Sequence, residues 1–261
     1  MKTTVLFALF TLLATPVAAQ SALDGTWVLE VDTVKPSERP TVLLLQDGSY
    51  SCLSCTTVQV IKADGQFHPI TGDPYTDAMS VRVIDSRTVT TLHRRGDVVV
   101  AESTDTISAD GQQREDAFTD RTSANGTPVT GRTISRRVAD GPAGAHAISG
   151  GWQVVGFEGI SENALSISIR VDGEIVHMTS PLGERSAARF NGPTVPVEGD
   201  PSGLSVAVIR ANPSTIVQIG KRNGKVVDVT TMSVQSDGRT LDIVTQDAVT
   251  GDTMSFVARK S

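Results

Sequence analysis

Aromatic side chains make up only 4% of the chain, with two tryptophans, two tyrosines and seven phenylalanines. That leaves little material for ring platforms that stack nucleobases or sugars. Clusters of Lys and Arg are missing too, and 29 acidic residues outnumber 23 basic ones. Such a surface repels phosphate backbones, so nucleic acid is not an expected partner. Beyond residue 19 no stretch is apolar enough to cross a bilayer, and no membrane span is expected. The chain also has no G-x-S-x-G elbow, H-E-x-x-H helix, phosphate loop or dinucleotide fingerprint. No catalytic residue and no cofactor is therefore assigned, and an enzyme is not the expectation. His68, His93, His146 and His177 are dispersed, and none stands at ligand spacing from another, so no metal site is assigned either.

At the start of the chain, Lys2 precedes a short apolar run from Val5 to Leu13, followed by Thr15-Pro16-Val17-Ala18-Ala19. A basic start, a short apolar centre and small residues are the marks of a signal peptide over residues 1–19, cleaved between Ala19 and Gln20. The apolar run falls well short of the roughly 18 to 20 residues that a spanning helix needs. The mature protein is expected in a periplasm or outside the cell. Losing Lys2 takes its net charge from −6 to −7.

The rest of the chain repeats itself. Gly25-Thr26-Trp27 returns as Gly150-Gly151-Trp152, and Asp47-Gly48 as Asp172-Gly173, both 125 positions on. At this offset His177 falls in the place of Cys52. Pro69-Ile70-Thr71-Gly72-Asp73-Pro74 returns as Pro196-Val197-Glu198-Gly199-Asp200-Pro201, now 127 positions on. Val99-Val100 with Val226-Val227, and Asp110-Gly111 with Asp237-Gly238, keep that second offset. Two copies of one domain are expected, at 22–138 and 149–261. The Gly-, Pro- and Ala-rich segment 139–148 joins them as a linker.

Within each copy, apolar residues fall at every second place. Leu165-Ser166-Ile167-Ser168-Ile169-Arg170-Val171 is the clearest run, and Met79-Ser80-Val81-Arg82-Val83 and Leu204-Ser205-Val206-Ala207-Val208 follow suit. This is the period of a strand with one buried face. Asp-Gly and Asn-Gly pairs between the runs favour tight hairpin turns, and no helical period is sustained. About eight short strands per copy point to an all-β fold of two tandem antiparallel up-and-down β-barrels. A β-sandwich is the rival arrangement. The recurring Gly-Asp-Pro reads as a rigid turn.

Cys52-Leu53-Ser54-Cys55 holds the only two cysteines. In an exported protein two cysteines ordinarily pair. Residues three apart in a strand lie ~10 Å apart, beyond the ~7 Å a disulfide tolerates, so a Cys52–Cys55 bond requires the segment to turn. A redox role lacks its βαβ setting, and haem attachment lacks a His at position 56.

Gly25-Thr26-Trp27 and Gly150-Gly151-Trp152 resemble the G-x-W that opens the first strand of lipocalin-type barrels. The resemblance implies that Trp27 and Trp152 each close one end of a barrel, under an Arg of its last strand. Arg136 or Arg137 in the first copy, and Arg259 in the second, stand near that place. The order G-T-W, C-x-x-C, A-D-G, P-x-T-G-D-P-Y, linker and second G-x-W resembles a family of secreted, uncharacterised bacterial proteins with tandem lipocalin-like repeats. That resemblance implies the fold and no activity. The copies are short, and other lipocalin signature segments are missing.

The functional expectation is an exported binding module that holds a small apolar ligand in a β-barrel. The alternative is a structural or protein-interaction module of the cell envelope, with an envelope protein as partner and no ligand cavity. The sequence does not indicate an oligomeric state. Interior volume separates the two, because small barrels can be filled by their own side chains.

Overall fold

The computed structural model describes residues 21–55 and 57–261. The expected signal peptide and its cleavage site lie outside the described residues. No helix among the described residues is long and apolar enough to cross a membrane. The chain is all-β, with two ten-stranded antiparallel sheets that curl into nearly closed barrels. Ten strands per sheet exceed the eight expected, because turns split several runs into shorter strands.

The sheets do not divide at the linker. The first barrel contains β2 (Thr41–Gln46) through β10 (Val129–Asp140), but the place between β2 and β10 is taken by β11 (Gly150–Glu158) from the second repeat. Reciprocally, β1 (Gly25–Lys35) lies in the second barrel, between β12 (Ser166–Asp172) and β20 (Thr253–Lys260). The register is explicit: Trp27 stands opposite Ile167 and Lys260, while Trp152 stands opposite Thr41 and Arg137. The two repeats have exchanged their first strands. Both seats accept either strand, because Gly-x-Trp and the alternation behind it are common to both copies. The connection decides. Pro36-Ser37-Glu38-Arg39-Pro40 joins β1 to β2, and a proline at each end, with its fixed φ and no N–H, opposes a tight hairpin reversal.

The tryptophans follow their strands. Trp152, fully buried, packs in the first barrel with Leu43, Val81, Val89 and Ile107. Trp27, also fully buried, packs in the second with Ile169, Val176, Ile216 and Leu241. Each indole N–H donates to a carbonyl four residues back, Trp27 to Leu23 at 2.9 Å and Trp152 to Ile148 at 2.7 Å. The Arg expected over each Trp is found in one barrel. The Arg137 guanidinium stacks at 4.1 Å from the Trp152 ring and donates to the carbonyls of Gly111, Ala147 and Ser149. This fastens the last strand of the first repeat to the first strand of the second. Gly150 is needed beside it: φ is 130°, and a Cβ would stand 2.4 Å from the Ala139 carbonyl oxygen. Over Trp27 the cation is Lys260, at 5.1 Å, while Arg259 turns outward to Glu30.

The turn pairs matched in sequence are one residue out of register in space. In the first barrel Gln46 faces Ser49 across Asp47-Gly48, both at positive φ (51° and 72°). In the second, Asp172 faces Ile175 across Gly173-Glu174, and only Gly173 has positive φ. The hairpin has slid by one residue between copies. Leu43 faces Cys52 and Ile169 faces Met178, so the counterpart of Cys52 is Met178 rather than His177.

Candidate functional site

The second barrel is largely filled. Ile216, Met232, Leu241, Ile243 and their neighbours pack its interior and leave a cavity of about 140 Å³. The first barrel keeps a partly open cavity of about 520 Å³, within the range of about 300 to 1,000 Å³ usual for small-molecule sites. Leu43, Ile61, Ile70 and Met79 give it apolar walls.

Its inner end is charged. Asp105 on β8 (Val98–Ile107) faces Asp116 on the neighbouring β9 (Gln113–Asp120). Arg114 lies two residues before Asp116, on the same side of the strand. Arg114 Nε donates to Asp105 Oδ1 at 2.6 Å, and Nη2 to Asp116 Oδ2 at 3.4 Å. All three side chains line the cavity, and Asp105 and Arg114 are buried. Burial pushes the Asp105 carboxyl up to about 6, against the pull of Arg114 and with the help of Asp116. Burial also works against the charge of Arg114, yet the two carboxylates hold its pKa above the ordinary value. Tyr50, buried beside them, has its hydroxyl pKa raised, mainly by desolvation. His93 completes the polar lining with Thr91 and Ser103, whose hydroxyls are 3.0 Å apart. Burial lowers the pKa of His93, although Asp73, Asp116 and Asp120 pull the other way.

The charged groups belong to the first copy alone. At the 127-residue offset, Asp105, Arg114 and Asp116 correspond to Met232, Leu241 and Ile243, and the register agrees, since Met232 faces Ile243 as Asp105 faces Asp116. Two buried ionic groups and a partly buried third, Asp116, stand where the sister barrel has three buried apolar ones. A buried ion cluster is seldom kept for stability, because desolvation consumes most of its Coulombic gain. The sequence carried this signal in the repeat itself, but the alternating charges of Gln113-Arg114-Glu115-Asp116 look like an exposed strand face when read alone.

The rim draws on both repeats. Cys52 and Cys55 form a disulfide, with their Cα atoms 5.4 Å apart across the turn that follows β3 (Ser49–Cys52), and both line the cavity. Two hydrogen bonds hold that turn to β2: Leu53 N–H donates to the Val42 carbonyl at 2.8 Å, and Val42 N–H to the Ser54 side-chain Oγ at 2.9 Å. Opposite runs Gly72-Asp73-Pro74-Tyr75. Asp73 Oδ1 accepts from the N–H groups of Tyr75 (2.7 Å) and Thr76 (3.2 Å), the geometry of an Asx turn. Its repeat does likewise, Asp200 Oδ1 accepting from Ser202 (2.7 Å) and Leu204 (3.1 Å). The two Gly-Asp-Pro turns meet. Tyr75 Oη donates to Asp200 Oδ2 at 3.3 Å, and Arg222, which also lines the cavity, donates to Ser202 Oγ and to Tyr75 Oη. Although burial opposes it, the hydrogen bonds from Ser202 and Leu204 keep the Asp200 carboxyl below its ordinary pKa.

Of the residues singled out from sequence, Cys52 and Cys55 stand at the cavity rim. Trp152 is buried in the core of the same barrel and Trp27 in that of the other. The histidines stay apart, and among the described residues no group of three or more His, Cys, Asp or Glu side chains could hold a metal ion. Comparison of the chain with known protein families, curated proteins and solved structures finds no match.

Proposed function

We propose that this protein is an exported binding module whose first barrel holds one small, largely apolar molecule. The observation that carries the reading is the contrast between two barrels of common design. One is filled by its own side chains down to about 140 Å³; the other keeps about 520 Å³ behind a disulfide-pinned rim, with polar groups converging at its inner end. A module of purely structural use has no need of that difference, and filling a cavity with apolar side chains would stabilise it. The second repeat then serves as a support: it takes β1 into its own barrel, lends β11 to the first and sets Arg222 at the rim.

Titration of the mature protein with Nile red, an uncharged apolar dye, tests this. One saturable site per chain is expected. Ile70→Trp, which fills the cavity, should abolish it, whereas Gln218→Trp in the second barrel should not. Absence of a saturable site, or binding indifferent to Ile70→Trp, would refute the proposal.

A further inference from the structure

The charges inside the first barrel do not balance. Arg114 is the cation of its inner end, and both neighbouring carboxylates already engage it. Asp105 takes the closer contact, 2.6 Å against 3.4 Å for Asp116. Asp116 is therefore the less compensated of the two, and its Oδ1 is buried with no hydrogen-bond partner. A buried carboxylate oxygen without a donor costs more than a neutral acceptor, because the group carries charge.

The surrounding groups do not make up the deficit. His93 is held towards its neutral form by burial. At the rim, Asp73 adds a further carboxylate, and Arg222 donates to Ser202, at 2.9 and 3.1 Å, and to Tyr75, at the far end of the cavity from Asp116. The lining thus carries three carboxylates, Asp73, Asp105 and Asp116, against two guanidinium groups, Arg114 and Arg222. An anionic head group at the inner end would approach Asp116 where Arg114 is already shared between two carboxylates. A charged N–H donor would meet the less compensated of the two carboxylates, through the part of the Asp116 side chain that remains exposed, in surroundings where charge-assisted hydrogen bonds are strong.

We infer that the ligand of the first barrel is a small organic ammonium ion, with its N–H groups directed to Asp116 and its apolar part against Leu43, Ile61, Ile70 and Met79. The inference rests on the ligand-binding reading above and sharpens it to one charge class.

The test compares three eight-carbon probes by calorimetric titration into the mature protein at pH 7: octylammonium, 1-octanol and octanoate. Octylammonium should bind at least tenfold more tightly than 1-octanol, and octanoate more weakly than either. Asp116→Asn keeps shape and removes charge; it should weaken octylammonium about tenfold and leave 1-octanol unchanged. Octanoate binding as tightly as octylammonium, or equal losses for the charged and neutral probes in Asp116→Asn, would overturn the ammonium assignment while leaving a binding module in place. Failure of all three probes, together with failure of Nile red, would remove the binding reading itself. The comparison of probes on the unaltered protein holds even if Asp116→Asn folds poorly.

Discussion

Replacing Asp105, Arg114 and Asp116 by the residues of the sister barrel, Met, Leu and Ile, tests whether the buried charges are there for the fold. Removing Arg114 alone, as Arg114→Leu, leaves two carboxylates facing each other across β8 and β9 without a counter-ion. Breaking a buried ion pair in this way costs about 3–5 kcal/mol. For a chain of this size, with about 2–4 °C of Tm per kcal/mol, the single variant should melt some 6–20 °C lower. The triple variant Asp105→Met, Arg114→Leu, Asp116→Ile removes the charges together, and such replacements are neutral or stabilising by about 1–4 kcal/mol. Its Tm should equal or exceed that of the unaltered protein. Thermal and urea denaturation of the three proteins, followed by circular dichroism, gives the ordering directly. A triple variant less stable than Arg114→Leu, or an Arg114→Leu variant that melts normally, would refute the view of the cluster as a functional group kept at a cost in stability.

The same residues set a pH dependence. The folded-state pKa of Asp105 is raised, to about 6, from an unfolded value of about 3.9. The folded state therefore holds the proton more tightly, and the contribution of Asp105 to stability is lost as pH rises from about 4 to about 6. Urea midpoints should show this decline in the unaltered protein and lose it in the triple variant; identical profiles would contradict the burial of Asp105. The exchange of first strands predicts that the isolated segment 22–138, deprived of β11, forms a dimer that swaps β1, since Pro36 and Pro40 hinder β1 from folding back. Light scattering on that segment should give twice the monomer mass, and a stable monomer would speak against the role assigned to the prolines. Trp152→Ala should cost about 3–5 kcal/mol and abolish Nile red binding through the first barrel, whereas Trp27→Ala should damage the second barrel first. Replacing Cys52 and Cys55 by Ser opens a short loop worth about 2 kcal/mol in the chain-entropy account. It should weaken Nile red binding by loosening the rim, and unchanged affinity would deny the disulfide that part.

The fold class was legible because strands with one buried face write their period into the chain. Leu165 to Val171 alternates as a strand whatever its partners, and Asp47-Gly48 turns as a hairpin should. Pairing across the repeats was not legible. Trp27, Leu29 and Val31 present one pattern to either barrel, so the pattern cannot say which one β1 joins; that depends on whether the five residues from Pro36 to Pro40 can reverse. The one-residue slip between the Asp47-Gly48 and Gly173-Glu174 turns escaped for a related reason, since Asp-Gly marks a turn without fixing which two residues occupy its centre. The charged site was half legible. Arg114 and Asp116 look like surface residues until set against Leu241 and Ile243, whose burial in the sister barrel shows which way they point.

Methyl spectra of methionine offer the most direct test that one barrel binds and the other supports. Met79 lines the cavity of the first barrel, while Met178 and Met232 sit in the packed second one. Addition of octylammonium to protein labelled at the methionine methyl carbons should move the Met79 signal saturably and leave Met178 and Met232 in place. A still Met79, or equal movement of all three, would contradict a single ligand site in the first barrel.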